Sequence, residues 1–235
     1  MKPVAIFRHS STEGPGHFAT YLDRHGIAWQ LVRIDEGDAV PAVADDFSGL
    51  AFMGGPMSVN DDLPWIAPVL ALIRAAVKDD VPVLGHCLGG QLMSKALGGS
   101  ITPAPVKEIG WGEIAVEPTA VARRWFGHVA PSFLSFHWHG ETFSLPPGAQ
   151  RVLGNAYCEN QAFALGKHLG MQCHIEMTPE MIDSWCDSGA REIARSRSPA
   201  VQSVEQIKHD LEPKLMELHR AADGVYDYWT RALRA

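Results

Sequence analysis

Four short, largely apolar runs, residues 4–8, 27–34, 47–53 and 81–84, recur through the first part of the chain, and this repetition constrains the fold more than any other feature. Helical periods lie between them. Residues 17–25 form one, closed by Gly26, and residues 64–78 form another, with Pro64 near its first turn. Short apolar strands separated by helices belong to a mainly parallel sheet covered by helices on both faces, an α/β fold. In such open sheets ligands collect at the C-terminal ends of the strands.

Beyond residue 101 the pattern turns to antiparallel-looking strands, at 112–116, 133–138, 151–155, 161–165 and 168–174. Thr178 and Pro179 then cap and open a helix. Residues 188–199 read as a loose connection, and the polar-periodic tail beyond residue 200 reads as a helical extension whose role is not legible. With 235 residues, 46% of them apolar, residues 1–235 are expected to form a single domain.

The formal net charge is -7 and no Lys/Arg-rich run occurs, so no nucleic-acid partner is expected. No 18-residue apolar run and no signal-peptide pattern is present, so no membrane span is expected and the chain reads as cytoplasmic. The four cysteines, Cys87, Cys158, Cys173 and Cys186, form no CxxC pair and are expected to be reduced thiols.

One cysteine stands apart. In Gly85-His86-Cys87-Leu88-Gly89-Gly90-Gln91 it sits where a buried strand turns sharply into a helix, with glycine two residues to either side. That is a nucleophile elbow carrying sulfur. The turn projects the side chain outward, the helix N-terminus favours the thiolate, and the Leu88 N–H is placed to hold an oxyanion. A buried structural cysteine in a glycine-rich turn is the plainer reading. A phosphate loop is disfavoured, because neither a GK[ST] ending nor GxGxxG spacing is present.

Gly85-x-Cys87-Leu88-Gly89-x-Gln91 resembles the G-x-C-[aliphatic]-G-x-Q signature of class I glutamine amidotransferases, and three further segments fall in that family's order. Met53-Gly54-Gly55-Pro56 is similar to its Gly-Gly-Pro oxyanion strand, His137-Trp138-His139-Gly140-Glu141 to its S-H-G-D loop, and Gln172-Cys173-His174-Ile175-Glu176 to its Q-F-H-P-E segment. Together these matches run from about residue 45 to 180. The resemblance implies a three-layer, flavodoxin-like fold of the GMP synthase amidotransferase type. It assigns Cys87 as nucleophile, His174 as base and later acid, and Glu176 as the group that orients the imidazole. It further assigns Gly55 and Leu88 as oxyanion donors, and Gln91, Trp138, His139 and Gly140 as substrate contacts. The chemistry of a generalised triad agrees, and residues 174 and 176, two apart on an expected strand, would share one face.

The resemblance implies no metal and no cofactor. His137 and His139 at i and i+2 would suit a metal, but a third ligand at sensible spacing is missing from the sequence. Four positions depart from the family pattern: Cys173 replaces its aromatic, Ile175 its Pro, Trp138 its Ser and Glu141 its Asp. The last two lie in the substrate segment and bear on specificity. Three functions follow in order. The first is a glutaminase that supplies ammonia to a separate synthase subunit. The second is a stand-alone hydrolase of γ-glutamyl amides or peptides, and the third is a catalytically idle member that binds a ligand or partner.

Overall fold

The computed structural model describes residues 2–129 and 131–234. Its first half runs β1 (Val4–Arg8), α1 (Gly16–Arg24), β2 (Trp29–Arg33), β3 (Gly49–Phe52), α2 (Ile66–Lys78), β4 (Val83–His86) and α3 (Leu88–Ala96). The second half begins with β5 (Ile101–Val116), α4 (Ala120–Phe126), β6 (Ser132–Phe143), β7 (Gln150–Gly154), β8 (Ala162–Leu165) and β9 (His168–Met171). It ends with α5 (Pro179–Arg195), β10 (Ala200–Val201), α6 (Val204–Lys208) and α7 (Leu211–Thr230).

Five strands pair in parallel in the order β2-β1-β3-β4-β9, which is flavodoxin-like. Antiparallel pairing continues the sheet through β8, β7 and β5, and β5 also carries β6. β9 therefore joins the two halves, parallel to β4 on one side and antiparallel to β8 on the other. The sequence presents it as one more antiparallel strand. It is antiparallel to β8 as expected and also pairs parallel with β4, because its residues, buried on both faces, fill the centre of the sheet.

Alternation along the strands separates two cores. Val4 and Ile6 point to the layer holding α1, α4, α5 and α7, whereas Ala5 and Phe7 point to the layer of α2 and α3. The C-terminal tail is part of the first layer: Leu218, Ala222, Val225, Tyr226 and Trp229 of α7 are fully buried against α1 and the sheet. Residues 188–195, read as loose from their polar composition, belong to α5, whose apolar stripe of Met181, Ile182, Trp185 and Cys186 anchors it. All four cysteines are free and buried.

At the elbow, glycine is required by close approach. A Cβ on Gly89 would stand 2.0 Å from the Phe52 carbonyl oxygen, and one on Gly90 2.3 Å from that of Met171. The start of α3 is thereby pressed between β3 and β9, which fixes where Cys87 projects.

Candidate active site

Cys87 occupies the single residue between β4 and α3 with φ 49° and ψ -106°, a conformation that costs a non-glycine residue about 1–3 kcal/mol. Its thiol accepts a hydrogen bond from Gln172 Nε2 at 3.5 Å and lies 3.9 Å from the Trp138 carbonyl oxygen. Gln91 is one step removed, because its Nε2 donates to Gln172 Oε1 at 3.1 Å. Leu88 opens α3, so its N–H has no partner within the helix. Gly55 lines the cleft into which Cys87 opens, together with Gln91, Trp138, His139 and Gly140.

His174 and Glu176 lie beyond the end of β9, in a bent segment rather than on a strand. Their meeting follows from a single bridge: His174 N donates to the Phe136 carbonyl at 2.8 Å, pinning this segment to β6. His174 Nδ1 lies 2.6 Å from Glu176 Oε1, while Nε2 is left without a hydrogen-bond partner. Burial works against an imidazolium here, yet the Glu176 carboxylate and the Cys87 thiol outweigh it and raise His174 well above its ordinary value. Burial likewise opposes the Glu176 carboxylate, but the His86 and His174 rings hold it at about 2. Burial lowers the His86 pKa, with the Glu176 carboxylate opposing the shift and His174 reinforcing it. His86 itself stands 3.7 Å from Glu176 Oε2 and 3.3 Å from the Tyr226 hydroxyl, so α7 backs the site.

The substrate segment 137–141 is not a loop but part of β6, paired with β5. The irregularity lies on the other strand, in a register shift between Pro103 and Glu108 that sends Lys107 to the cleft. Trp138 forms the wall toward α5. Its Nε1 donates to Glu192 Oε2 at 3.0 Å and its ring meets Trp185 edge-on at 5.9 Å. Glu141 Oε1 accepts from the Ser58 hydroxyl at 3.0 Å. Cys173 and Ile175 are fully buried, so those two departures from the family pattern serve packing.

The sequence did not single out several other residues of the cleft: Glu13, Lys107, Trp185 and Glu192. Glu13 was the most accessible to sequence reasoning, since it follows the C-terminal end of β1, where ligands collect in open α/β sheets. Burial pushes its carboxyl up to about 7, with His174 opposing and Glu176 reinforcing the shift. The cleft as a whole measures about 610 Å³.

The family model for glutamine amidotransferase class-I matches residues 17–184, a span that contains the elbow, the β6 segment and the His174 segment. The chain belongs to the class I glutamine amidotransferases. Relatives span two kinds of protein. The glutamine amidotransferase-like protein YfeJ of Salmonella typhimurium is 28% identical over 207 residues, covering 85% of this amidotransferase and 87% of its own length. The GMP synthase of Phenylobacterium zucineum is 34% identical over 151 residues, covering 60% of the chain, which thus matches only 27% of that longer enzyme. The chain is similar in structure to a glutamine amido transferase from Methylobacillus flagellatus, with a TM-score of 0.97, 46% identity, and coverage of 100% and 96% of the two chains. Hydrolysis of glutamine's amide with transfer of its ammonia is the family's general activity. No helix among the described residues is long and apolar enough to cross a membrane.

Proposed function

We propose that this chain hydrolyses the side-chain amide of glutamine through a Cys87 thioester. The observation that carries this reading is the strained Cys87 on the same cleft as a His174 that is itself held by Glu176 at 2.6 Å. The raised pKa of His174 favours a thiolate–imidazolium pair. The thiolate attacks the γ-carboxamide carbon, and the Gly55 and Leu88 N–H groups receive the developing oxyanion. His174 Nε2 gives its proton to the nitrogen, which leaves as ammonia and yields a γ-glutamyl thioester. Water then gives a proton back to His174 as its oxygen attacks the thioester, and collapse of the adduct releases glutamate and regenerates the sulfur. Trp138, Gly140 and the backbone of His139 hold the amino-acid end of the substrate, with Gln91 supporting through Gln172.

A second reading is favoured by the acid beside His174 and by the size of the cleft. Glu13 lies beside His174, and a space of about 610 Å³ walled by Trp138, Trp185 and Glu192 exceeds what one amino acid fills. This arrangement suits a γ-glutamyl amide or peptide whose amine portion extends past Glu13. One subunit of the glutamine-hydrolyzing GMP synthase of Sulfurisphaera tokodaii is 29% identical over 138 residues, which supports the alternative that ammonia passes to a separate synthase chain.

The deciding experiment measures glutamate and ammonia release from glutamine and from a γ-glutamyl dipeptide, with Cys87→Ala as control. Cys87-dependent cleavage of glutamine by the chain alone supports the first reading, and a higher kcat/KM for the dipeptide supports the second. Labelling of Cys87 by a glutamine-mimicking electrophile without turnover points to a chain that waits for its synthase partner. Neither turnover nor labelling would leave the idle, ligand-binding member.

A further inference from the structure

The β5–β6 register sets Glu108 directly opposite His139 and Gly110 opposite His137. Residues two apart on a strand share a face, so both imidazoles and the Glu108 carboxylate converge on one side of the ladder. One donor atom from each lies within 4.8 Å of the others, and all three residues are buried. Glycine leaves room for the first ring: a Cβ on Gly112 would stand 3.0 Å from His137 Cδ2 and Nε2. The third ligand that the sequence lacked is thus supplied by the neighbouring strand.

Hydrogen bonding around this cluster is incomplete. His139 Nδ1 lies 3.0 Å from the Glu141 carbonyl oxygen, which only accepts, so Nδ1 carries the proton. In a neutral ring Nε2 is then a bare lone pair. It faces Glu108 Oε2 across 3.1 Å without hydrogen-bond geometry. Neither nitrogen of His137 has a partner that meets distance and angle criteria among the described residues, the Gly112 backbone being the polar group nearest to doing so. A proton on His139 would answer the first contact and leave His137 unsatisfied, which is costly for a buried polar ring.

A divalent cation answers both. Donors bound at about 2.05 Å to one tetrahedral ion stand roughly 3.3 Å apart, close to the separation between His139 and Glu108. The would-be ligands are also held from behind, as metal ligands are. Asn155 Nδ2 and Gln161 Nε2 donate to the two Glu108 oxygens at 2.6 and 2.8 Å, and Glu141 fixes the His139 tautomer. A second cleft of about 520 Å³, separate from the one at Cys87, reaches Glu108 and His137 and gives an entry path and room for a water.

The geometry points to a zinc-class cation site formed by Glu108, His137 and His139, with its fourth position open to this second cleft. Two imidazoles with one carboxylate suit zinc, whereas calcium and magnesium prefer oxygen donors throughout. The ion would tie β5 to the part of β6 that presents Trp138 and Gly140 to the Cys87 cleft. The site stands independently of the reaction proposed above.

The test titrates chelator-stripped full-length chain with zinc chloride, and in parallel with cobalt chloride, in the wild type and in Cys87→Ala, His137→Ala, His137→Gln and Glu108→Gln. The expected result is one zinc per chain, a four-coordinate cobalt visible spectrum, and a zinc-induced rise in thermal midpoint, all kept in Cys87→Ala. Each of the other variants that remains folded by circular dichroism should lose at least ~100-fold in affinity and lose the thermal shift. Less than one zinc per chain, binding indifferent to the His137 and Glu108 changes, or binding abolished by Cys87→Ala overturns the site.

Discussion

The Glu13 carboxylate fills the space that a side chain on Gly54 would need: a Cβ there would stand 2.1 Å from Glu13 Oε2 and 3.1 Å from His174 Cε1. The Gly-Gly-Pro segment that follows β3 and presents Gly55 therefore also leaves room for an acid against the candidate catalytic histidine, from a β1–α1 connection that no recognised motif covers.

This placement has a pH signature. Burial raises Glu13 from 4.5 to about 7, so the protonated form favours the folded state. The stability it contributes is whole below about pH 4.5 and is lost as pH rises through about 7. Glu13→Gln should leave urea-unfolding stability unchanged at pH 4 and raise it at pH 8.5 by up to about 3 kcal/mol. If Glu13 takes part in the reaction, kcat/KM is expected to show an inflection near pH 7 that is lost in the same variant, and an identical profile in both proteins would remove Glu13 from the reaction.

Glu176 and His174 behave in the opposite sense to each other. The depressed Glu176 carboxyl contributes stability above about pH 4.5 that is lost as pH falls toward 2, and the raised His174 contributes below about pH 6.5 and loses it as pH rises through its folded value. Their joint contribution is whole between these limits. Glu176→Gln should lower kcat by roughly 10⁴-fold, as losing the orienting carboxylate does in a triad. Acid unfolding should show the fold losing about 3–5 kcal/mol at pH 5.5, with a smaller further loss toward pH 2 than the wild type.

Cys87→Gly separates chemistry from folding. The backbone at φ 49° and ψ -106° is strained for cysteine and open to glycine, so calorimetry should show a thermal midpoint higher by a few degrees while amide hydrolysis falls to background. An unchanged or lower midpoint would mean that the elbow stores no strain.

Trp138 rests on Gly189, where a Cβ would come within 2.2 Å of Cζ2 of the indole. Gly189→Ala must push the indole toward the cleft, and Trp138→Ser removes that wall. The kcat/KM ratio of γ-glutamyl dipeptide to glutamine is expected to fall several-fold in the first variant and to rise in the second. No change in either would free this wall of any part in selectivity.

Trp229 on α7 is fully buried against Phe18 of α1, their rings 5.7 Å apart. Trp229→Ala should cost about 3–5 kcal/mol in urea unfolding, and a single cooperative transition is expected if the tail and the sheet form one domain.

The elbow at Cys87 and the βα alternation were legible in the sequence because each rests on local rules, whereas the order of the four motifs was legible only through their resemblance to a known family. A helix start pressed closely between strands leaves glycines beside the turn, and a buried strand demands an apolar run. The face shared by His174 and Glu176 was anticipated for the wrong reason, since they meet through a bend pinned to Phe136 rather than along a strand. The rest depends on contacts between distant residues. That β9 lies parallel to β4, that α7 covers α1, that Glu13 reaches His174, and that Glu108 faces His139 across a ladder are decided by register and packing. Spacing along the chain carries no trace of such pairings, because the free energy that selects them comes from burying whole faces at once.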